Sequence, residues 1–167
     1  MVDSDLFKKA EMISDRRVVM RRVWKKYGCT LTRAVTSERN IYQVVCCTPE
    51  DVLSFCLFEY FIITVRPVDI FTYSIIRYTV STVRDDDSVI IADATVNENG
   101  IIDSVVDSGS HEQVLAHYLR LLYPLYDSLF QIIRSGRPLS LQEIHLSVSG
   151  ESSRFSSGGG YADKTYQ

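Results

Sequence analysis

Two stretches of helical hydrophobic periodicity enclose a long region rich in β-branched residues, and this order constrains the fold more than any other feature. In the first stretch, apolar residues recur three, four or seven positions apart, which predicts an amphipathic helix over residues 4–27. Gly28 is predicted to end it. The predicted apolar stripe consists of Leu6, Ala10, Ile13, Met20, Trp24 and Tyr27.

The second helical stretch begins at Ser110, which stands three residues before Gln113 with the spacing of a capping box. Helical periodicity continues from there to Gly136, which precedes Pro138 and predicts the end of the helix. Pro124 lies inside this stretch and removes a backbone hydrogen-bond donor. We therefore expect a kink or a break in the second helix near Leu121.

The region between the two helices predicts a mainly antiparallel sheet. One exception is Thr48-Pro49-Glu50-Asp51, which has the residue pattern of a helix start and predicts one short buried helix ending near Glu59. The predicted strands are 29–36 and 41–47 as a hairpin, then 61–65, 70–83, 89–96, 101–106 and, after the second helix, 141–148.

These elements predict a single α+β domain over residues 1–148, in which six or seven strands pack against the two long helices. A length of 167 residues suits one domain with at most a tail. Residues 149–167 contain five serines and four of the eight glycines in the chain, so we expect a flexible, disordered tail. Tyr161 and Tyr166 are candidate anchors if that tail docks on a partner.

The sequence favours a cytoplasmic protein without a transmembrane segment. Residues 52–65 form the most apolar run, but 14 residues that include Glu59 fall short of the roughly 20 needed to span a bilayer. The N-terminus lacks the apolar core of a secretory signal. The four cysteines form no CxxC pair, and the neighbours Cys46 and Cys47 would point to opposite faces of a strand.

No linear motif indicates catalysis, a cofactor or a metal, so we predict no catalytic residue, no cofactor, no metal ligand and no enzyme. The acidic turn 85–87 lacks the alternate spacing of a calcium loop, and Gly158-Gly159-Gly160 lacks the strand and helix of a phosphate loop. His111 and His117 are predicted to be structural. A nucleophile pair assembled from distant residues, such as Cys56 with His145, stays open.

Charge is distributed unevenly along the chain. Residues 1–34 hold nine Lys or Arg against four Asp or Glu, a net +5, whereas residues 35–167 hold nine against seventeen, a net −8. Four cations, Lys8, Arg22, Lys25 and Lys26, fall on the helix face opposite the apolar stripe. They could contact nucleic acid or an anionic membrane surface, lie against an acidic protein surface, or form an ordinary solvated face.

Two functions are consistent with this pattern. The first is a non-enzymatic module for protein interaction, assembly or accessory roles that binds an unidentified protein partner. The alternative is an electrostatic binder of RNA, DNA or anionic membrane through the basic helix. The basic helix, antiparallel body and Gly/Ser tail give the chain a layout that resembles small virus-encoded matrix or accessory proteins. Val18, Val19 and Val23 lie off the main apolar stripe, which predicts self-association as a homodimer.

Overall fold

The computed structural model describes residues 3–84 and 86–144 of the chain. The α+β class predicted from the sequence is confirmed, with seven antiparallel strands and two long helices in the described residues. The elements are α1 (Ser4–Ser37), a single 3-10 turn (Arg39–Ile41), β1 (Gln43–Cys46), β2 (Leu53–Leu57), β3 (Phe61–Pro67), β4 (Ile75–Thr82), β5 (Ser88–Thr95), β6 (Ile101–Ile102), β7 (Val106–Asp107) and α2 (His111–Ser135).

Helix α1 is ten residues longer than predicted, and the expected strand over residues 29–36 is its last part. Gly28 does not end the helix. It lies on the buried face, where a Cβ atom would stand 3.6 Å from the side chain of Leu53, at ordinary packing distance. The apolar periodicity continues past Gly28 through Leu31 and Ala34, and this continuation outweighs the cost of about 1 kcal/mol of a glycine inside a helix.

The predicted short buried helix is also wrong, because strand β2 occupies its apolar part. Thr48-Pro49-Glu50-Asp51 lies in the connection between β1 and β2, where Asp51 adopts a left-handed backbone with φ of 66°. Proline and acidic residues favour turns as well as helix starts. Strand β2 lies between β1 and β3, and its short apolar run cannot be told from a buried helix by periodicity alone.

Five strands form one antiparallel sheet in the order β1-β2-β3-β4-β5. The register places Phe55 opposite Ile63, and Ile63 opposite Val80, so these buried side chains share one face. Strand β3 extends two residues beyond its predicted end at residue 65 and includes Arg66 and Pro67. The long strand expected over residues 70–83 begins only at Ile75.

The single strand predicted over residues 101–106 is instead a two-stranded hairpin of β6 and β7. Asp103 and Ser104 form its tight turn with φ of 50° and 67°, a left-handed conformation that residues with short polar side chains tolerate. Asp103 also accepts hydrogen bonds from the Thr95 backbone N–H at 2.9 Å and from buried His117 Nε2 at 2.8 Å.

The described chain falls into two compact units, and the first, Met1–Arg120, contains both sheets. Its core joins α1, the sheet and the start of α2 through aromatic side chains. The Tyr27 and Tyr78 hydroxyls are 2.6 Å apart, the Phe55 and Tyr118 rings are 5.7 Å apart, and the Tyr118 hydroxyl donates to Gln43 Oε1 at 2.7 Å. The predicted packing of sheet against helices is thereby confirmed within this unit.

The second unit begins at Leu121. Here α2 runs through Pro124 without the predicted break and ends before Gly136, whose φ is 72°. The strand expected over residues 141–148 is wrong in its described part, because residues 141–144 are helical. Ser140 Oγ accepts from the Glu143 backbone N–H at 3.2 Å, as an N-cap does. Residues 145–148 and the predicted tail, with Tyr161 and Tyr166, lie outside the described residues, and the single domain over 1–148 stays a prediction.

Among the described residues, no helix combines the length and the apolar character needed to cross a bilayer.

Candidate functional site

The four predicted contact residues, Lys8, Arg22, Lys25 and Lys26, are all exposed on α1. At 100° per residue, Arg22 and Lys26 lie within about 40° of each other on the outward face, and Lys8 falls in the same sector. The buried residues Trp24 and Leu31 lie on the opposite side of the helix. The sequence therefore placed these cations on the correct face.

The structure nevertheless divides the group of four. Lys8 stands 14 residues before Arg22, which is about 21 Å along the helix axis. Two carboxylates, Glu11 and Asp15, occupy the same sector of α1 between them. Lys8 is thus separated from the other cations by an acidic segment and does not extend their positive surface.

Lys25 is also set apart, because it points toward the β1–β2 connection. Its Nζ lies 3.8 Å from Glu50 Oε1, and the same oxygen lies 3.3 Å from the Arg21 guanidinium. These exposed ion pairs contribute little to stability. They do, however, partly neutralise Lys25 and reduce its attraction for another anion.

Arg33 is a further member of this surface, and the sequence analysis missed it. In α1, Arg22, Lys26 and Arg33 stand at i, i+4 and i+11, which aligns them within about 40° along 17 Å of helix. All three are exposed and form no ion pair with any residue that the structure describes. We call these three residues the cation row. The spacing was visible in the sequence, but residues 29–36 were predicted as a strand.

Lys26 lies against the loop that precedes α2. A Cβ atom at Gly109 would stand 2.6 Å from Lys26 Cε. Any residue other than glycine would therefore fit here only if the Lys26 side chain moved. The same Cβ position lies 2.9 Å from Lys26 Nζ and 3.5 Å from Asp107 Oδ1, so the end of the Lys26 side chain, with its ammonium group, rests on this loop near the Asp107 carboxylate.

A groove of about 540 Å³ lies beside the cation row, between α1 and the β1–β2 connection. Lys25, Cys29 and Arg33 form part of its α1 wall, whereas Glu50 and Asp51 lie on the opposite wall. The two walls carry opposite charges. This arrangement does not favour a small anion over a cation, so the groove adds no defined ligand site to the cation row.

The cysteine and histidine side chains offer no metal site within the described residues, where no group of three potential ligands converges. Desolvation, with Cys46 and Glu59 nearby, raises the pKa of the Cys56 thiol, which keeps it protonated at neutral pH. His117 is buried against Asp103, and exposed His111 lies 3.4 Å from Ser37 Oγ. His145 lies outside the described residues, so its pairing with Cys56 is untested.

Comparison with known proteins gives the family. Residues 1–145 match the model of the family described as the transcriptional repressor of hyc and hyp operons. The chain belongs to this family. It is also 34% identical over 149 residues to the formate hydrogenlyase regulatory protein HycA of Escherichia coli K12, and the alignment covers 89% of this chain and 95% of that protein. The proteins of the same name from Escherichia coli O157:H7 and Shigella flexneri give the same values. No solved structure matches the chain.

Family membership corrects the functional predictions. The chain resembles bacterial transcriptional regulators, so the expected role of a viral matrix or accessory protein is wrong, as is that of a generic interaction or accessory module. The prediction that the chain is not an enzyme is confirmed, because the family is one of regulators. The sequence taken alone did not indicate this function, because the function is recognised from similarity over the whole chain and not from a local motif.

Proposed function

We propose that this chain is a regulatory protein that represses transcription of operons of the formate hydrogenlyase system. The supporting observation is the family match over residues 1–145, which includes every helix and strand described above. The similarity to the HycA proteins extends over 95% of their length, so it covers a whole regulator and not one shared module. In a bacterium such a protein acts in the cytoplasm, where its operons are transcribed.

A reporter experiment tests this function. The promoter region of an hyc operon is fused to a fluorescent protein in a bacterium that lacks its own relative, and the chain is expressed from a second, inducible promoter. We expect the reporter signal to fall as the chain accumulates, while a constitutive promoter in the same cells stays unchanged. A constant reporter signal at a high level of folded chain would contradict the proposal.

For the contact residues, we propose that the cation row, with Lys25 as a lesser contributor, meets the phosphate backbone of operator DNA. Arg22, Lys26 and Arg33 are exposed and without ion pairs to described residues, so their charge is available to an anion. Each phosphate contact releases condensed counterions, and three contacts give a slope of about −2.7 in log affinity against log salt. Lys8 lies beyond Glu11 and Asp15 and is expected to add little.

Such contacts hold the backbone but do not read bases. The two long helices α1 and α2 are separated in the chain by all seven strands, so this pair is not joined by the short turn of a helix-turn-helix. Sequence specificity therefore has to come from groups other than the cation row, and we expect this row by itself to give only weak binding.

Two triple variants with equal charge change test the cation row. Arg22→Glu with Lys26→Glu and Arg33→Glu should lose at least tenfold in affinity for promoter DNA, measured by fluorescence anisotropy at 50 mM salt. The matched control reverses Arg66, Arg84 and Arg120, which are exposed outside α1, and should lose much less. Equal losses would mean that net charge alone matters. If the row variant loses DNA binding but still represses the reporter, the regulator contacts a protein instead.

A further inference from the structure

The first four turns of α1 carry apolar side chains that the chain itself leaves uncovered. Leu6 is 59% exposed, Phe7 is 59% exposed and Ile13 is 54% exposed. Leu6, Ala10 and Ile13 follow one another at i, i+4 and i+7, which places them on one side of the helix. We call these three residues the leading stripe.

The leading stripe is continuous with the buried face of the same helix. The same alternation of four and three residues continues after Ile13, first to Arg17 and then to Met20, Trp24, Tyr27 and Leu31. These last four residues are buried in the first unit. The helix thus extends its core-facing side beyond the body that covers the later residues. The uncovered part of the helix, residues 4–17, is so short that an isolated helix of that length is marginal in water without tertiary packing.

The charges that flank the leading stripe complement each other when two copies run in opposite directions. Asp3 and Asp5 stand at the start of the helix, whereas Arg16 and Arg17 follow the stripe. An antiparallel pair that crosses near Ala10 brings Leu6 of one copy beside Ile13 of the other, and Asp3 beside Arg17, since Arg16 is paired with Glu98 of its own chain. A parallel pair would instead place like charges together and align the two helix dipoles unfavourably.

We propose that the leading stripe binds the leading stripe of a second copy of this chain in an antiparallel helix pair. The small side chain of Ala10 at the crossing allows the two backbones to approach closely, while Leu6 and Ile13 fill the space on either side. This surface differs from the one predicted from the sequence. Val18 is exposed, but Val19 is half-buried and Val23 is buried within its own chain.

A second apolar patch lies where the other copy's first turns would arrive. Ile70 and Phe71, in the connection between β3 and β4, are both more than half exposed. They adjoin the leading stripe through Arg17, whose guanidinium lies 5.4 Å from the centre of the Phe71 ring and 3.5 Å from the Ile70 carbonyl oxygen. The proposed pair therefore covers the loop as well as the helix.

The proposed contact between the two helices is short, so we expect the dimer to be weak. The overlap of residues 3–17 is about 22 Å long, so it contains only two turns of stripe on each side of Ala10. We expect a dimer that dissociates on dilution in the micromolar range, well short of an obligate dimer with its much larger interface.

Cysteine cross-linking tests both the partner and the direction. In a background with exposed Cys29 and Cys47 changed to Ser, chains with Leu6→Cys are mixed with differently tagged chains carrying Ile13→Cys and oxidised. We expect mixed disulfide dimers, and little cross-linking of Leu6→Cys chains with one another. Preferential self-cross-linking of Leu6→Cys would indicate a parallel pair and overturn the proposal.

The mass of the purified full chain provides the second measurement. Sedimentation from 1 to 200 μM should show a monomer–dimer equilibrium that Leu6→Asp with Ile13→Asp shifts at least tenfold toward monomer. The matched control, Val105→Asp, changes a residue that is 74% exposed on the β6–β7 turn and should leave the equilibrium unchanged. A monomer throughout this range, or a dimer that the double variant leaves intact, would refute the proposal. These outcomes do not depend on whether the chain represses transcription.

Discussion

The two halves of α1 carry the same apolar periodicity in different surroundings. In the later half, Met20, Tyr27 and Leu31 are completely buried, whereas in the earlier half Leu6 and Ile13 remain mostly exposed. The pattern of the side chains is the same in both. Periodicity therefore specifies which side of a helix is apolar, and only the fold determines whether the chain itself covers that side or leaves it for a partner.

The largest expected difference between the halves is in stability. Leu31→Ala removes a completely buried side chain and should lower the free energy of unfolding by about 2–5 kcal/mol. Leu6→Ala should change it by no more than about 0.5 kcal/mol, because its side chain stays mostly in water. Urea unfolding of both variants at 1 μM, where we expect the monomer, measures this difference.

Equal losses in the two variants would show that the earlier half is packed against something in the monomer. The same comparison at 200 μM sharpens the result. If the leading stripe pairs two copies, Leu6→Ala should then become measurably destabilising, while the cost of Leu31→Ala should stay nearly constant.

The two halves of α1 also differ in how much of their structure helical spacing alone can predict. The stripe from Leu6 to Tyr27 and the outward direction of Arg22 and Lys26 follow from helical spacing, and both were predicted correctly. The predicted end of α1 was wrong because Gly28 was interpreted as a C-cap, although in the fold it lies on the buried face at ordinary packing distance from Leu53. That contact depends on a strand 25 residues later, which local spacing cannot reveal.

The same limit applies to the cation row. Arg33 was missed because Thr30, Thr32, Val35 and Thr36 favour strands by intrinsic preference. In the fold, burial of Leu31, Ala34 and Val35 against the body outweighs that preference. The regulatory function could not be predicted from the sequence alone, since it rests on similarity over the whole chain and not on a local motif.

A smaller effect is expected from the buried hydroxyl pair of the later half. The Tyr27 and Tyr78 hydroxyls are 2.6 Å apart in the core. Tyr27→Phe leaves the Tyr78 hydroxyl without this partner and should cost about 1–3 kcal/mol. The double change to Phe should cost less than the sum of the single changes, because it removes both polar groups. Additive losses in a double-mutant cycle would argue against a direct bond.

The same pair should make the protein sensitive to alkali. Burial raises the pKa of Tyr27 and of Tyr78 well above the ordinary value of 10.0. Below pH 10 both tyrosines are protonated in the folded and unfolded states. Above it the unfolded chain releases these protons first, so stability falls by at most about 1.4 kcal/mol per pH unit for each tyrosine.

Urea midpoints of the wild type and the double Phe variant between pH 9 and pH 11 measure this dependence. The double variant should decline less steeply, because it lacks both buried groups. Parallel declines in the two proteins would assign the alkaline sensitivity to other residues.

The smallest global effect is expected at the start of the earlier half. Asp3 caps α1, since its carboxylate accepts from the Asp5 backbone N–H at 3.0 Å. Asp3→Ala should cost about 1 kcal/mol locally, which corresponds to roughly fivefold faster hydrogen exchange over residues 5–12. Exchange near Leu31 should be unchanged, because the exposed turns can open while the core stays closed. Asp15→Ala, which removes an exposed carboxylate without a capping role, is the control. If Asp3→Ala instead accelerates exchange along the whole helix, the two halves open together, and the exposed turns belong to the same cooperative unit as the core.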